Sequence, residues 1–126
     1  MKLLLDTNAL LWLLAGDRRL SERARRKIES ASEITISEVS LWEISTKISI
    51  GKLKPIPTLL DTVRDLGFRR LNISNAALGI YESLPFIHRD PFDRMLVAQA
   101  LSEDMHVLTS DDLLKDYGVK LIKATI

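Results

Sequence analysis

The sequence predicts an α/β fold, a three-layer α/β/α sandwich around a central parallel sheet, and three observations lead there. Short apolar runs, Leu3–Leu5, Ile34–Ile36 and Val107–Leu108 among them, alternate along the chain with stretches of helical periodicity. The run Leu3-Leu4-Leu5 is apolar at every position, the pattern of a strand buried on both faces. Carboxylates recur where an apolar stretch meets a helix start, in Leu5-Asp6-Thr7-Asn8, Asp90-Pro91-Phe92-Asp93-Arg94 and Leu108-Thr109-Ser110-Asp111. Parallel strands need right-handed crossover helices on the sheet faces, and open sheets of this kind bind ligands at their carboxyl edge.

Each element follows from local chemistry. After the strand Leu3–Leu5, Thr7 or Asn8 opens a helix through Ala15 that Gly16 ends. Ser21-Glu22 begins a basic helix to about Ser30, with Ala24 and Ile28 inward and Arg19, Arg23, Arg26 and Lys27 outward. Ile34-Thr35-Ile36 is the second strand. Ser37 caps a helix whose apolar positions Val39, Leu41, Trp42, Ile44 and Ile48 sit at helical spacing and which stops near Gly51; Glu43 falls in its second turn. Pro55 and Pro57 break the chain before a helix from Leu59 to Leu66, and Arg69 to Ile73 resume a strand pattern. Ser74 starts a helix reaching about Leu84. Asp90-Pro91, with proline at the first helical position, opens another from Phe92 to Ser102. His106 to Thr109 form a strand, Asp111 or Asp112 starts a brief helical turn ended by Gly118, and Val119 to Ile122 make the last strand.

The 126 residues, 46% of them hydrophobic, are one domain's worth of chain, so a single domain over residues 1–126 is expected. Eighteen Lys and Arg nearly cancel 17 Asp and Glu, so any hold on nucleic acid must come from local patches. Cysteine is absent, which excludes disulfides, thiol nucleophiles and thiolate zinc sites and fits a reducing, cytoplasmic compartment. His88, in a loop, and His106, opening a strand, have ordinary structural roles, and zinc is not expected. Asp6 and Asn8 split the apolar start that a signal peptide would need, and no apolar run approaches the ~18 residues of a membrane span. A soluble protein without membrane contact is expected.

Taken singly, each acid has a structural explanation. Asp6 and Asp111 fit helix caps, Asp90 and Asp93 fit a capping box, and Glu43 fits a pairing with Lys47 one turn on. In the alternating fold, however, all of them fall near helix starts above the same sheet edge. Carboxylates within ~4 to 6 Å disfavour one another's ionisation unless a cation neutralises them. Mg²⁺ or Mn²⁺, hard cations that take oxygen ligands, meet that need, and the chemistry they suit is phosphodiester hydrolysis with no amino-acid nucleophile.

With these motifs in order, the chain resembles the PIN-domain ribonucleases, and more narrowly the VapC-type toxins of toxin–antitoxin pairs. The resemblance spans essentially the whole chain. It is carried by Leu5-Asp6-Thr7-Asn8, Ser37-Glu38-Val39-Ser40-Leu41-Trp42-Glu43-Ile44, His88-Arg89-Asp90-Pro91-Phe92-Asp93-Arg94 and Leu108-Thr109-Ser110-Asp111. It implies a PIN-like sandwich and an acidic quartet at Asp6, Glu43, Asp93 and Asp111. Asp6 and Asp93 would be the direct metal ligands, and Thr7, Asn8 and Thr109 would support them. Asp90 competes with Asp93, and Asp112 with Asp111, for places in that quartet. The resemblance further implies Mg²⁺- or Mn²⁺-dependent endonucleolytic cleavage of RNA by a type II toxin, inhibition by a cognate VapB-like antitoxin, and a homodimer.

Compatible surfaces are present. Arg18, Arg19, Arg23, Arg25, Arg26 and Lys27 form a basic stretch, and Lys47, Lys52, Lys54, Arg89 and Arg94 flank the acidic motifs. Leu10, Leu11, Trp12 and Leu14 exceed what one face of a short helix normally buries, which offers either core packing or a groove for an amphipathic antitoxin segment. Two rival readings stand beside the nuclease. A metal-dependent phosphatase or phosphoacceptor domain also places Asp after its first strand, but the phosphatase wants a second Asp where Asn8 stands. A non-catalytic interaction domain would use the acids only as caps.

Overall fold

The computed structural model describes residues 1–126 and contains five parallel strands in the order β3-β2-β1-β4-β5. The strands are β1 (Lys2–Leu5), β2 (Glu33–Ser37), β3 (Arg69–Leu71), β4 (His106–Thr109) and β5 (Leu121–Lys123). The helices are α1 (Thr7–Ala15), α2 (Glu22–Ser30), α3 (Glu38–Ser49), α4 (Leu59–Asp65), α5 (Asn75–Ser83) and α6 (Pro91–Glu103), with a 3-10 turn at Asp112–Tyr117. The parallel sandwich expected from the alternation is therefore the observed architecture.

β1 lies at the centre, pairing Leu5 with Ile36 of β2 on one side and with Leu108 of β4 on the other. Leu3, Leu4 and Leu5 are all fully buried. Alternation sends them to opposite faces. Leu4 joins Val107, Leu96, Ala100 and Ala77 under α5 and α6, whereas Leu5 joins Ile36, Leu108, Leu10, Ala24 and Val63 under α1, α2 and α4. Because β2 and β4 flank β1 and are reached by crossovers in opposite directions, the strand order reverses at β1, and the sheet opens its crevice at that carboxyl edge.

Local capping sets the helix starts above this edge. Asp6, Ser21, Ser37, Ser74 and Asp90 each accept a backbone N–H from the first turn that follows them. Gly16, at φ 63°, closes α1: its N–H reaches the Leu13 carbonyl and the next N–H, of Asp17, reaches Trp12.

Two strand ends and one side-chain placement differ from the sequence expectation. β3 stops at Leu71 rather than Ile73, because the Asn72 carbonyl turns to accept from Gln99 Nε2 of α6. β5 begins at Leu121 rather than Val119, which is instead buried with Leu114 in the core beneath α6. Arg94, expected among the surface cations, is 6% exposed; its guanidinium lies 5.0 Å from both the Tyr81 and the Phe86 ring centres. No helix is long and apolar enough to cross a membrane.

Candidate active site

Asp6 leaves β1 at the reversal point, where its own N–H donates to Leu108 of β4. Its Oδ1 accepts the Ala9 N–H at 2.8 Å, which together with the nearby Thr109 side chain favours the charged form. Burial nevertheless pushes its carboxyl above the ordinary range, and the nearby Glu43 and Asp111 push in the same direction. Glu43 reaches the same place from the second turn of α3. Only 7% exposed, it accepts from Thr7 Oγ1 at 2.7 Å and pairs with Lys47 Nζ at 3.0 Å. The expected Glu43–Lys47 pairing thus forms, but with its carboxylate turned into the fold.

Asp93 lies in the first turn of α6. The alternative reading made it the return half of a capping box with Asp90. That box does not form: Asp90 Oδ1 caps Phe92 N–H at 2.8 Å, while the Asp90 N–H goes to His88 Nδ1 at 3.0 Å. The Asp93 carboxylate makes no hydrogen bond, and its pKa is raised to about 7, first by burial and then by the charges of Asp90 and Asp6. Asp111 caps the 3-10 turn, accepting Leu113 N–H at Oδ1, and its own N–H donates to Thr109 Oγ1. Asp112, its competitor, is exposed and starts the turn itself.

The four acids named from the sequence, together with Thr7, Asn8, Lys47, Asp90 and Ser110, line one cleft of about 140 Å³ with no apolar residue in its wall. Asp90 is therefore both a cap and a neighbour of the site. Sequence reasoning missed His88, which was given an ordinary loop role. Its Nε2 stands 2.6 Å from Asp111 Oδ2 and 3.5 Å from Asp93 Oδ2. The one available signal was its position two residues before the capping Asp90.

The donor chemistry fits a hard divalent cation. Carboxylate oxygens converge, Asp93 has both of its oxygens free of hydrogen bonds, and Asp6 and Asp93 have their values raised first by burial and then by neighbouring carboxylates, with Lys47 the one basic side chain in the lining. Residues 3–120 match the sequence profile of the PIN domain. Ribonuclease VapC22 of Mycobacterium tuberculosis is 27% identical over 121 residues, 90% of each protein. The fold is shared with a chain in the crystal structure of VapBC2 from Rickettsia felis bound to a promoter DNA fragment, with a TM-score of 0.75, 16% identity, and coverage of 97% of this chain and 98% of that one. It is shared equally with a chain of DNA-bound VapBC from Salmonella typhimurium, with a TM-score of 0.70, 20% identity and 97% coverage of each. A parallel sheet reversing at an acid-lined crevice and a sequence profile spanning nearly every residue lead to one assignment: this chain belongs to the PIN-domain family.

Proposed function

We propose that the protein is a metal-dependent endoribonuclease, the toxin of a type II toxin–antitoxin pair. The observation that carries this reading is the meeting of Asp6, Glu43, Asp93 and Asp111, separated by up to 105 positions in sequence, in a single polar cleft. The likeness to Ribonuclease VapC22 supports the RNA substrate and the toxin role. Asp6 and Asp93 would hold Mg²⁺, with Mn²⁺ an alternative. Such a cation, when bound, polarises a phosphoryl oxygen and makes water a better nucleophile.

The chain's own residues supply the rest. Thr7 and Lys47 fix the two Glu43 oxygens, so that this carboxylate faces the cleft in one orientation. Lys47 brings positive charge to the rim, where a substrate phosphate would approach. Thr109 Oγ1 accepts the Asp111 N–H at 3.0 Å, beside Asp6. The phosphatase reading is weakened by the position it needs most, since exposed Asn8 offers no carboxylate.

The partner is proposed to be a VapB-like antitoxin carrying an amphipathic segment. Of the residues the sequence offers for such a groove, Leu10 is fully buried, whereas Leu14 lines, with Leu13, Ile28, Ile34 and Phe68, a cavity of about 620 Å³. A cytoplasmic homodimer completes the proposal.

Incubation of the purified protein with structured RNA, in Mg²⁺ or Mn²⁺ and then in EDTA, tests the activity. Cleavage should require the metal and fall at least ~100-fold in Asp6→Asn and Asp93→Asn while circular dichroism stays unchanged. Metal-independent cleavage, or turnover of simple phosphate esters with the RNA intact, would overturn it.

A further inference from the structure

His88 is the one imidazole that meets the acidic cleft, and its ring contacts fix what it can do there. The Asp90 backbone N–H points at Nδ1 from 3.0 Å, so Nδ1 must offer a lone pair. The ring proton therefore sits on Nε2, which faces Asp111 Oδ2 at 2.6 Å and Asp93 Oδ2 at 3.5 Å. Ligand atoms of His88, Asp93 and Asp111 all lie within 4.8 Å of one another, a spacing that would also suit a mixed nitrogen–oxygen metal site. Ligation through Nε2 would need that proton moved to Nδ1, where it would confront the Asp90 N–H, donor against donor.

The loop that presents the ring is anchored independently of the acids. The His88 N–H donates to the Tyr117 hydroxyl at 2.7 Å, and Arg94 donates to both that hydroxyl and the Pro85 carbonyl. The side chain is only 16% exposed. Asp111, for its part, has both oxygens engaged, Oδ1 by the Leu113 N–H and Oδ2 by His88.

Resting on the nuclease reading of the cleft, we infer that His88 is a positioning residue. Locked as the Nε2–H tautomer by the Asp90 backbone, it holds the Asp111 carboxylate by hydrogen bond and stays outside the ligand set of the metal. Asp111 then acts beside the metal as an oriented, hydrogen-bonded carboxylate, and the direct contacts fall to Asp6 and Asp93.

Two-bond ¹H–¹⁵N correlation on imidazole-labelled protein reads this state directly. The chain has only two histidines, and loss of one set of signals in His88→Gln assigns the other to His106. The Nε2–H pattern is expected for His88 without metal and again in excess Mg²⁺. An Nδ1–H pattern, or a switch to it when Mg²⁺ is added, would overturn the inference. Kinetics supply the second readout. His88→Ala should lower kcat about 10- to 100-fold with KM for RNA little changed, and His88→Gln, which restores an N–H donor, should recover most of that loss. On an Asp111→Asn background, His88→Ala should cost little more. Equal losses in the Ala and Gln variants, a loss confined to KM, or full additivity with Asp111→Asn would defeat it. If the wild-type protein fails to cut RNA, the nuclease reading falls and the tautomer measurement still decides the role of His88.

Discussion

The Thr7 hydroxyl donates to Glu43 Oε1 at 2.7 Å, joining the first turn of α1 to the second turn of α3 across 36 residues of sequence. Both partners are buried, so this bond is shielded from competing water. Thr7→Val keeps the shape and removes the donor, leaving Oε1 with an unmet acceptor. A fall in cleavage rate of about 10- to 100-fold is expected, with a stability loss of about 1 to 3 kcal/mol. Thr7→Ser should restore both. Single-turnover rates and urea midpoints for the three proteins check this, and a wild-type rate in Thr7→Val would remove Thr7 from the site's support.

Asp93 makes the metal-free protein sensitive to pH in an unusual direction. Unfolded, its carboxyl loses its proton near the ordinary 3.8; folded, it keeps the proton to about 7. Between those values the folded state binds more protons, so this group's contribution to stability declines as pH rises from about 4 to about 7 and is level above that. Asp93→Asn has no such proton to lose. Thermal unfolding in EDTA should therefore show a smaller decline for the variant than for the wild type over that range. Excess Mg²⁺ at pH 7.5 should raise the wild-type Tm and affect Asp93→Asn far less. Parallel pH profiles for the two proteins would show that the Asp93 carboxyl titrates normally.

Ser37 couples the α3 cap to the opposite core. Its hydroxyl donates to Gln99 Oε1 at 2.6 Å and accepts the Val39 N–H at 3.0 Å, with Ser37 fully buried and Gln99 almost so. Ser37→Ala strips the helix of its cap and leaves the Gln99 oxygen without a donor. The expected cost is about 2 to 3 kcal/mol, read as a lowered urea midpoint. A cost below ~0.5 kcal/mol would mean that the Gln99 amide finds another partner.

Local chemistry carried most of the fold. Asp6, Ser21, Ser37, Ser74 and Asp90 are side chains that cap helices wherever they stand before a periodic stretch, and all five do so here. The parallel sheet followed from the continuous burial of Leu3–Leu5. The convergence of the four acids was also readable, because it depends on element order more than on side-chain detail. What depended on tertiary placement was not. The periodicity of α3 marks Val39, Leu41, Trp42 and Ile44 alike as apolar, yet Trp42 is 63% exposed with its ring edge against Phe92, 4.9 Å between centres. Arg94 reads as a surface charge until Tyr81 and Phe86 are seen on either side of it. The partner of His88 lies 23 residues away, on a turn that only the folded sheet brings near.

Both outer strands of the sheet are three residues long, and they carry Arg69 and Arg70 on one border and Lys123 on the other. Arg69 and Arg70 are further tied down by Glu33, Glu103 and Glu38. Brief, cationic borders of this kind resist the addition of a foreign strand. Whatever assembles with the protein is thereby steered away from extending its ladder and toward contact through helical surfaces, and the same borders guard crowded chains against zippering into aggregates.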